Sequence, residues 1–195
     1  MLAEKLKNYN IILASGSPRR QQFFKDLGLN FTIDVREVVE TYPEELQGTE
    51  ITDYLSILKA SAFTNIALEE IVVTSDTIVW KDQRALGKPE NREDAIHMLQ
   101  ELSGTMHEVH TSICFTGADF QTTVNDTTKV WFKKLHLEEI EYYLDTHQPY
   151  DKAGSYGAQD WLGYIAIDKL EGSYFNVMGL PTRLVYKTLI ELSNR

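Results

Sequence analysis

The chain has 195 residues, of which 43% are hydrophobic and 25% charged, and it carries a formal net charge of −10. That balance fits a soluble globular protein with one substantial core and argues against coating nucleic acid, where a basic face supplies most of the affinity. No apolar run approaches the roughly 20 residues that span a bilayer, the polar first ten residues suit neither a secretory signal nor an anchor, and Cys114 stands alone, so no internal disulfide forms and a cytoplasmic location is expected.

Strand and helix signals alternate along the chain. Ile11 to Ala14 has the content of a buried strand. Ser15-Gly16-Ser17 turns the chain, and Pro18 suits the first position of a helix over Arg19 to Leu27, which Gly28 closes. Phe31 to Val35 reads as a second strand. Ile51, Tyr54, Leu55, Leu58, Ala62 and Ile66 recur at helical spacing, so one long helix is expected from Thr52 to Leu68. Ile71 to Trp80 is a β-branched strand interrupted by Ser75-Asp76-Thr77, with a polar turn at Lys81 to Arg84 behind it. Asn91 caps a helix from Arg92 to Leu102, which Ser103-Gly104 ends. Glu108 to Thr116 and Thr122 to Phe132 read as long antiparallel strands, Glu138 to Asp145 as a short helix, and Tyr164 to Asp168 as another strand. Pro181 starts a closing helix that reaches Leu192. The pattern predicts an α/β chain with a mixed β-sheet and flanking helices.

Several segments carry chemistry. At Ser15 to Arg20, free N–H groups of a helix start, two hydroxyls and a guanidinium fork make an anion site, for phosphate above all. Asp76 interrupts an apolar strand, where a charge is costly without a task or a partner, so it reads as a metal ligand, a general base or a structural acceptor. Lys88, fixed between Gly87 and Pro89, can neutralise a phosphate that the acidic surface otherwise repels, and Lys59 lies among small residues that imply close packing. In the segment Asp151 to Gln159, glycines permit close backbone approach to a ligand, and the Gln159 amide, both donor and acceptor, can read a base edge. The five histidines show no HExxH spacing, one cysteine excludes a thiolate zinc site, and no P-loop or G-x-S-x-G elbow occurs. Carboxylates beside a phosphate grip favour a hard, oxygen-liking divalent cation such as Mg²⁺ or Mn²⁺.

Seven motifs then stand in order: Leu13-Ala14-Ser15-Gly16-Ser17-Pro18-Arg19-Arg20, Ser75-Asp76-Thr77, Leu86-Gly87-Lys88-Pro89, Leu102-Ser103-Gly104, Asp151-Lys152-Ala153-Gly154-Ser155-Tyr156-Gly157, Glu171-Gly172-Ser173-Tyr174 and Val177-Met178-Gly179-Leu180-Pro181. Together they resemble the Maf family of nucleoside triphosphate pyrophosphatases over nearly the whole chain, as one domain across residues 1–195. The resemblance implies an elongated mixed sheet with two lobes around a cleft, related to the inosine-triphosphate pyrophosphatases. It also implies metal-assisted hydrolysis of a nucleoside triphosphate to monophosphate and pyrophosphate. Asp76 matches the family's proton acceptor, and Ser15, Arg19, Arg20, Lys59, Lys88 and Gln159 match its substrate-site positions. Glu40 matches a metal-site position with Asp76, although Glu37 or Glu44 can be aligned there instead.

Arg19, Thr77 and Gln159 resemble the set in members that act on dTTP and UTP, whereas members acting on 7-methyl-GTP differ there. The sequence departs from the family pattern at Gln148, where glutamate is commoner before proline, and at Asp160-Trp161, where glycine usually follows the glutamine. Relatives suggest a homodimer, with no nucleic-acid or membrane partner. Two alternatives remain at this stage: a pyrophosphatase for modified or purine nucleotides, and a non-catalytic regulator of cell division that binds a nucleotide or a protein.

Overall fold

The computed structural model describes residues 2–194. In chain order its elements are α1 (Leu2–Lys5), β1 (Asn10–Leu13), α2 (Pro18–Asp26), β2 (Phe31–Ile33), α3 (Thr49–Ser61), β3 (Glu70–Lys81), β4 (Arg84–Leu86), α4 (Arg92–Leu102), β5 (Met106–Thr116), β6 (Gln121–Phe132), α5 (Leu137–His147), α6 (Trp161–Ala166), β7 (Ile167–Glu171), α7 (Tyr174–Val177) and α8 (Thr182–Leu192). A 3₁₀ turn at Ala153–Ser155 lies between α5 and α6. The strands form one seven-stranded sheet in the order β2-β1-β3-β5-β6-β7, with β4 paired to β3. The sheet is mixed: β1 runs parallel to both β2 and β3, while β3 with β4 and β6 with β7 are antiparallel.

The chain divides into two compact units. The first comprises residues 1–76, 111–126 and 179–195, and the second 77–110 and 127–178. Strands β3, β5 and β6 each contribute residues to both units. In the first unit Ile11, Leu13, Ile71 and Val73 of the sheet are buried, as are Phe24 of α2, Leu55 of α3 and Val185 and Leu189 of α8. Cys114 is fully buried there and acts as a small apolar filler. The second unit has its own core, in which Leu99 of α4, Ile140, Tyr143 and Leu144 of α5, Phe132 and Tyr156 are all buried.

Local signals explain most boundaries. Pro18 opens α2, and Gly28 behind that helix has a φ of +69°. The Asn91 side chain accepts from the Asp94 N–H at 2.9 Å and sets the start of α4. Asp82 and Gln83 both have positive φ, the conformation of a two-residue hairpin turn between β3 and β4.

Two expectations need correction. The helix read from Thr52 to Leu68 runs from Thr49 and stops at Ser61, and Asn65, with a left-handed φ of 59°, lies in the turn that follows before β3. The strand read over Tyr164 to Asp168 begins only at Ile167. The preceding Trp161–Ala166 is helical, with Leu162 and Ala166 buried in the second core. A short apolar run fits either element by pattern, and packing decided it. Among the described residues, no helix is long and apolar enough to cross a membrane.

Candidate active site

In the first unit the parallel strand β1 runs out at Leu13, and Ala14 donates its N–H to the Val73 carbonyl, so Ser15 emerges beside β3. Ser15 is buried, with its Oγ accepting from the Ser17 N–H at 3.3 Å and its carbonyl from Gln21 Nε2 at 3.1 Å. Arg20, on the first turn of α2, donates through Nη1 to the Ser75 carbonyl and through Nε to the Gly179 carbonyl, both at 2.9 Å. It therefore braces the backbone immediately before Asp76. Burial pushes the Arg20 guanidinium below its ordinary pKa; Asp76 opposes that shift, Arg19 adds to it, and Glu40 opposes it.

Asp76 stays inside β3 and does not break it, and its side chain is only 11% exposed. Its Oδ1 accepts from Lys59 Nζ at 2.6 Å. The same ammonium lies 3.0 Å from Glu40 Oε2, so one lysine bridges two carboxylates. Helix α3 is held in register for this. Thr74 Oγ1 donates to the Ser56 carbonyl at 2.7 Å, one helical turn before Lys59 and two residues before Asp76. Ser112 Oγ donates to Asp53 at 2.6 Å and contacts Thr52 Oγ1 at 2.6 Å. The irregular segment that carries Glu40 is anchored by Arg36, which donates to the Ala62 carbonyl at 2.9 Å and stacks 4.1 Å over the Phe63 ring.

Asp76 and Glu40 are two hard oxygen donors that meet at the Lys59 ammonium. No group of three or more His, Cys, Asp or Glu side chains able to hold a metal occurs among the described residues. Two carboxylates alone suit Mg²⁺ or Mn²⁺, ions that keep several waters and complete their shell with substrate phosphate oxygens. The donor set fits that class of ion.

In the second unit Lys88 is exposed, and the preceding Gly87 carbonyl accepts from the Gly154 N–H at 3.0 Å, which joins the Lys88 loop to the 3₁₀ turn. Gly154 has a φ of +66°, and a Cβ there would lie 2.8 Å from Val79 Cγ2, so both backbone shape and space require glycine. Gln159 is partly buried, and its Oε1 is a buried acceptor with no hydrogen-bond donor. Thr77, the residue after Asp76 on β3, is also partly buried. The structure thus brings Lys59 into direct contact with both Asp76 and Glu40, with Arg20 bonded to the residue before Asp76.

Comparison with known proteins decides the family. The model of the family described as Maf-like protein matches residues 10–192. The chain belongs to the Maf-like protein family. It is 58% identical to a protein of Flavobacterium johnsoniae named dTTP/UTP pyrophosphatase, over 98% of this chain and 100% of that one. It is 54% identical to one of the same name from Christiangramia forsetii, over the full length of both, and 46% identical to one from Bacteroides fragilis, over 98% of this chain and 100% of the other. Among solved structures, a HAM1 protein from Coxiella burnetii is similar at a TM-score of 0.49 and 14% identity, covering 94% of this chain and 99% of that one.

Three residues of this Maf-like chain matter more than its sequence suggested. Tyr143 reads as one more apolar position on α5, yet its hydroxyl, on a fully buried side chain, donates to Asp160 Oδ2 at 3.0 Å and accepts from the Gly157 N–H at 3.1 Å. Asn176 is buried and donates to the Val109 carbonyl and Thr128 Oγ1, fixing the turn before Gly179. Gln21, one turn into α2, holds the Ser15 carbonyl. None of the three has a sequence signature, since each acts through partners that only the fold brings to it. Trp161 packs edge-on against Tyr142 with ring centroids 4.8 Å apart and lies against the second core.

Proposed function

We propose that this chain hydrolyses a pyrimidine nucleoside triphosphate, dTTP or UTP, to the nucleoside monophosphate and pyrophosphate. One observation carries the reading: Lys59 bridges Asp76 on β3 and Glu40 on the irregular segment before α3. The names carried by relatives at 46–58% identity over nearly the full length support the substrate class.

Asp76 is the general base. Its carboxylate has one oxygen on Lys59 and the other left to accept the proton of a water that attacks the α-phosphorus. The P–O bond to the leaving pyrophosphate breaks, and negative charge builds on that group. Arg19, Lys59 and Lys88 offset it, while Arg20 keeps the Ser75-Asp76 backbone at its station. The Ser15 hydroxyl and the N–H groups at the start of α2 receive phosphate oxygens. Asp76 and Glu40 would hold a divalent cation, which when bound supplies charge neutralisation and acidifies water. Thr77 and Gln159 contact the nucleoside.

The test is a panel of nucleoside triphosphates read by pyrophosphate release, with Mg²⁺ or Mn²⁺ and with EDTA. Release of pyrophosphate and monophosphate from dTTP and UTP, lost with EDTA and restored by either metal, is the expected result. Release of orthophosphate, or turnover confined to purine triphosphates, overturns the assignment.

A further inference from the structure

Asp160 lies at the centre of a small network in the second unit. Its Oδ2 accepts from Tyr143 Oη at 3.0 Å and lies 3.6 Å from Lys152 Nζ, and its N–H donates to the Gly157 carbonyl at 3.0 Å. Tyr143 is fully buried, and burial with the adjacent Asp160 pushes its phenol well above the ordinary value, so the hydroxyl stays a donor. The carboxylate is therefore held by one hydrogen-bond donor and one ion pair, on a backbone that is itself fixed.

Gly157 shows what the pinned carboxylate faces. A Cβ at that glycine would lie 2.5 Å from Asp160 Oδ2 and 2.8 Å from Gln159 Nε2. The carboxylate oxygen and the amide nitrogen thus close over the same bare backbone position. The amide nitrogen is the end of Gln159 that shares this position with the carboxylate, and its Oε1 is the buried acceptor that lacks a donor. Rotating the amide by half a turn would set its oxygen on the side of the Asp160 charge. An acceptor left waiting in a buried place selects a ligand that offers an N–H there, because an unpaired acceptor on both sides is costly. Uracil and thymine present N3–H on that edge, whereas cytosine presents a bare N3.

We propose that Asp160 is a specificity-positioning residue: pinned by Tyr143 and Lys152 over Gly157, its charge favours the Gln159 amide with the nitrogen nearer the carboxylate and Oε1 unpaired, which makes the site select bases with an N–H at the recognised edge. The inference rests on the reading that Gln159 contacts the base of a nucleoside triphosphate. In Asp160→Asn, the introduced amide can donate to a rotated Gln159, so both orientations become accessible.

The experiment measures kcat/KM for UTP and CTP in the wild type, Asp160→Asn, Tyr143→Phe and Gln159→Leu, and in the Asp160→Asn/Gln159→Leu double variant, with thermal melts as a folding control. The UTP/CTP ratio is expected to fall about tenfold or more in Asp160→Asn, which corresponds to about 1.4 kcal/mol of discrimination, and to fall less in Tyr143→Phe. In the Gln159→Leu background, the added Asp160→Asn change leaves the ratio where it was. An unchanged ratio in folded Asp160→Asn and Tyr143→Phe overturns the inference, and so does an equal fall in the Gln159→Leu background. If the wild type hydrolyses no pyrimidine triphosphate, the parent reading fails and this one falls with it. If it hydrolyses UTP and CTP equally well, only the Asp160 inference fails.

Discussion

Asp76→Asn separates chemistry from stability, because it keeps the side-chain shape and removes the charge. Asp76 Oδ1 lies 2.6 Å from Lys59 Nζ, with the two side chains 11% and 18% exposed. At an effective dielectric of about 20, that spacing corresponds to about 6 kcal/mol of Coulomb attraction. Desolvation of two largely buried ends cancels most of it, and a charged hydrogen bond of this kind nets about 1–3 kcal/mol. Lys59 keeps Glu40 at 3.0 Å in the variant, so no buried cation is stranded, and the expected loss lies in the lower half, about 1–2 kcal/mol. For a chain of this size that lowers Tm by roughly 2–8 °C. Loss of the base lowers kcat by about 10²–10⁴-fold. Glu40→Gln is the stability control: Glu40 is 51% exposed, so its pair with Lys59 contributes under about 1 kcal/mol and the melt barely moves. The assays are pyrophosphate release from UTP and circular-dichroism melting. If Asp76→Asn turns over within tenfold of the wild type while melting cooperatively, Asp76 is not the base, and the reasoning from its ion pair fails.

Two further perturbations test the second unit. His107 is buried, with Nε2 against Tyr156 Oη at 2.8 Å, and burial, aided by Lys81, pushes its pKa down to about 3. The unfolded chain therefore takes up a proton below about pH 6.5 that the folded one refuses, so this contribution is intact above 6.5 and declines as pH falls toward 3, by up to about 1.4 kcal/mol per unit. Urea unfolding at pH 7, 6 and 5 is expected to show that decline, and His107→Gln to flatten it; equal slopes in the two proteins refute the assignment. Gly154→Ala places a Cβ 2.8 Å from Val79 Cγ2 at a φ of +66° and is expected to cost about 2–4 kcal/mol by denaturant unfolding. Adding Val79→Ala should return part of that loss, and purely additive losses would show that the contact is not the cause.

How far the residues announced their structure depended on the range of the cause. Pro18, Gly28, Asn91 and Gly104 act within a few residues of themselves, and the ends of α2 and α4 follow from them. The Trp161–Ala166 helix does not, because Leu162 and Ala166 are drawn to a core built by α4, α5 and β6. The acidic segment before α3 likewise leaves Glu37, Glu40 and Glu44 equivalent as residues. The structure separates them through Lys59, which pairs with Glu40 from a helix whose register is set by Thr74 and Ser112, on strands far along the chain.

The same distinction explains what the site motifs could and could not reveal. A buried carboxylate, a cation between glycine and proline, and a glycine-rich loop are legible because each violates a local expectation. The motif offers Arg20 as a substrate-site residue, and the fold shows a role that no motif gives: two of its donors fix the carbonyls of Ser75 and Gly179. A guanidinium that is always charged and forked can brace backbone and keep its field beside Asp76 at once, which a lysine with a single point charge cannot do. An arginine at this position is therefore required by the backbone architecture around Asp76 itself.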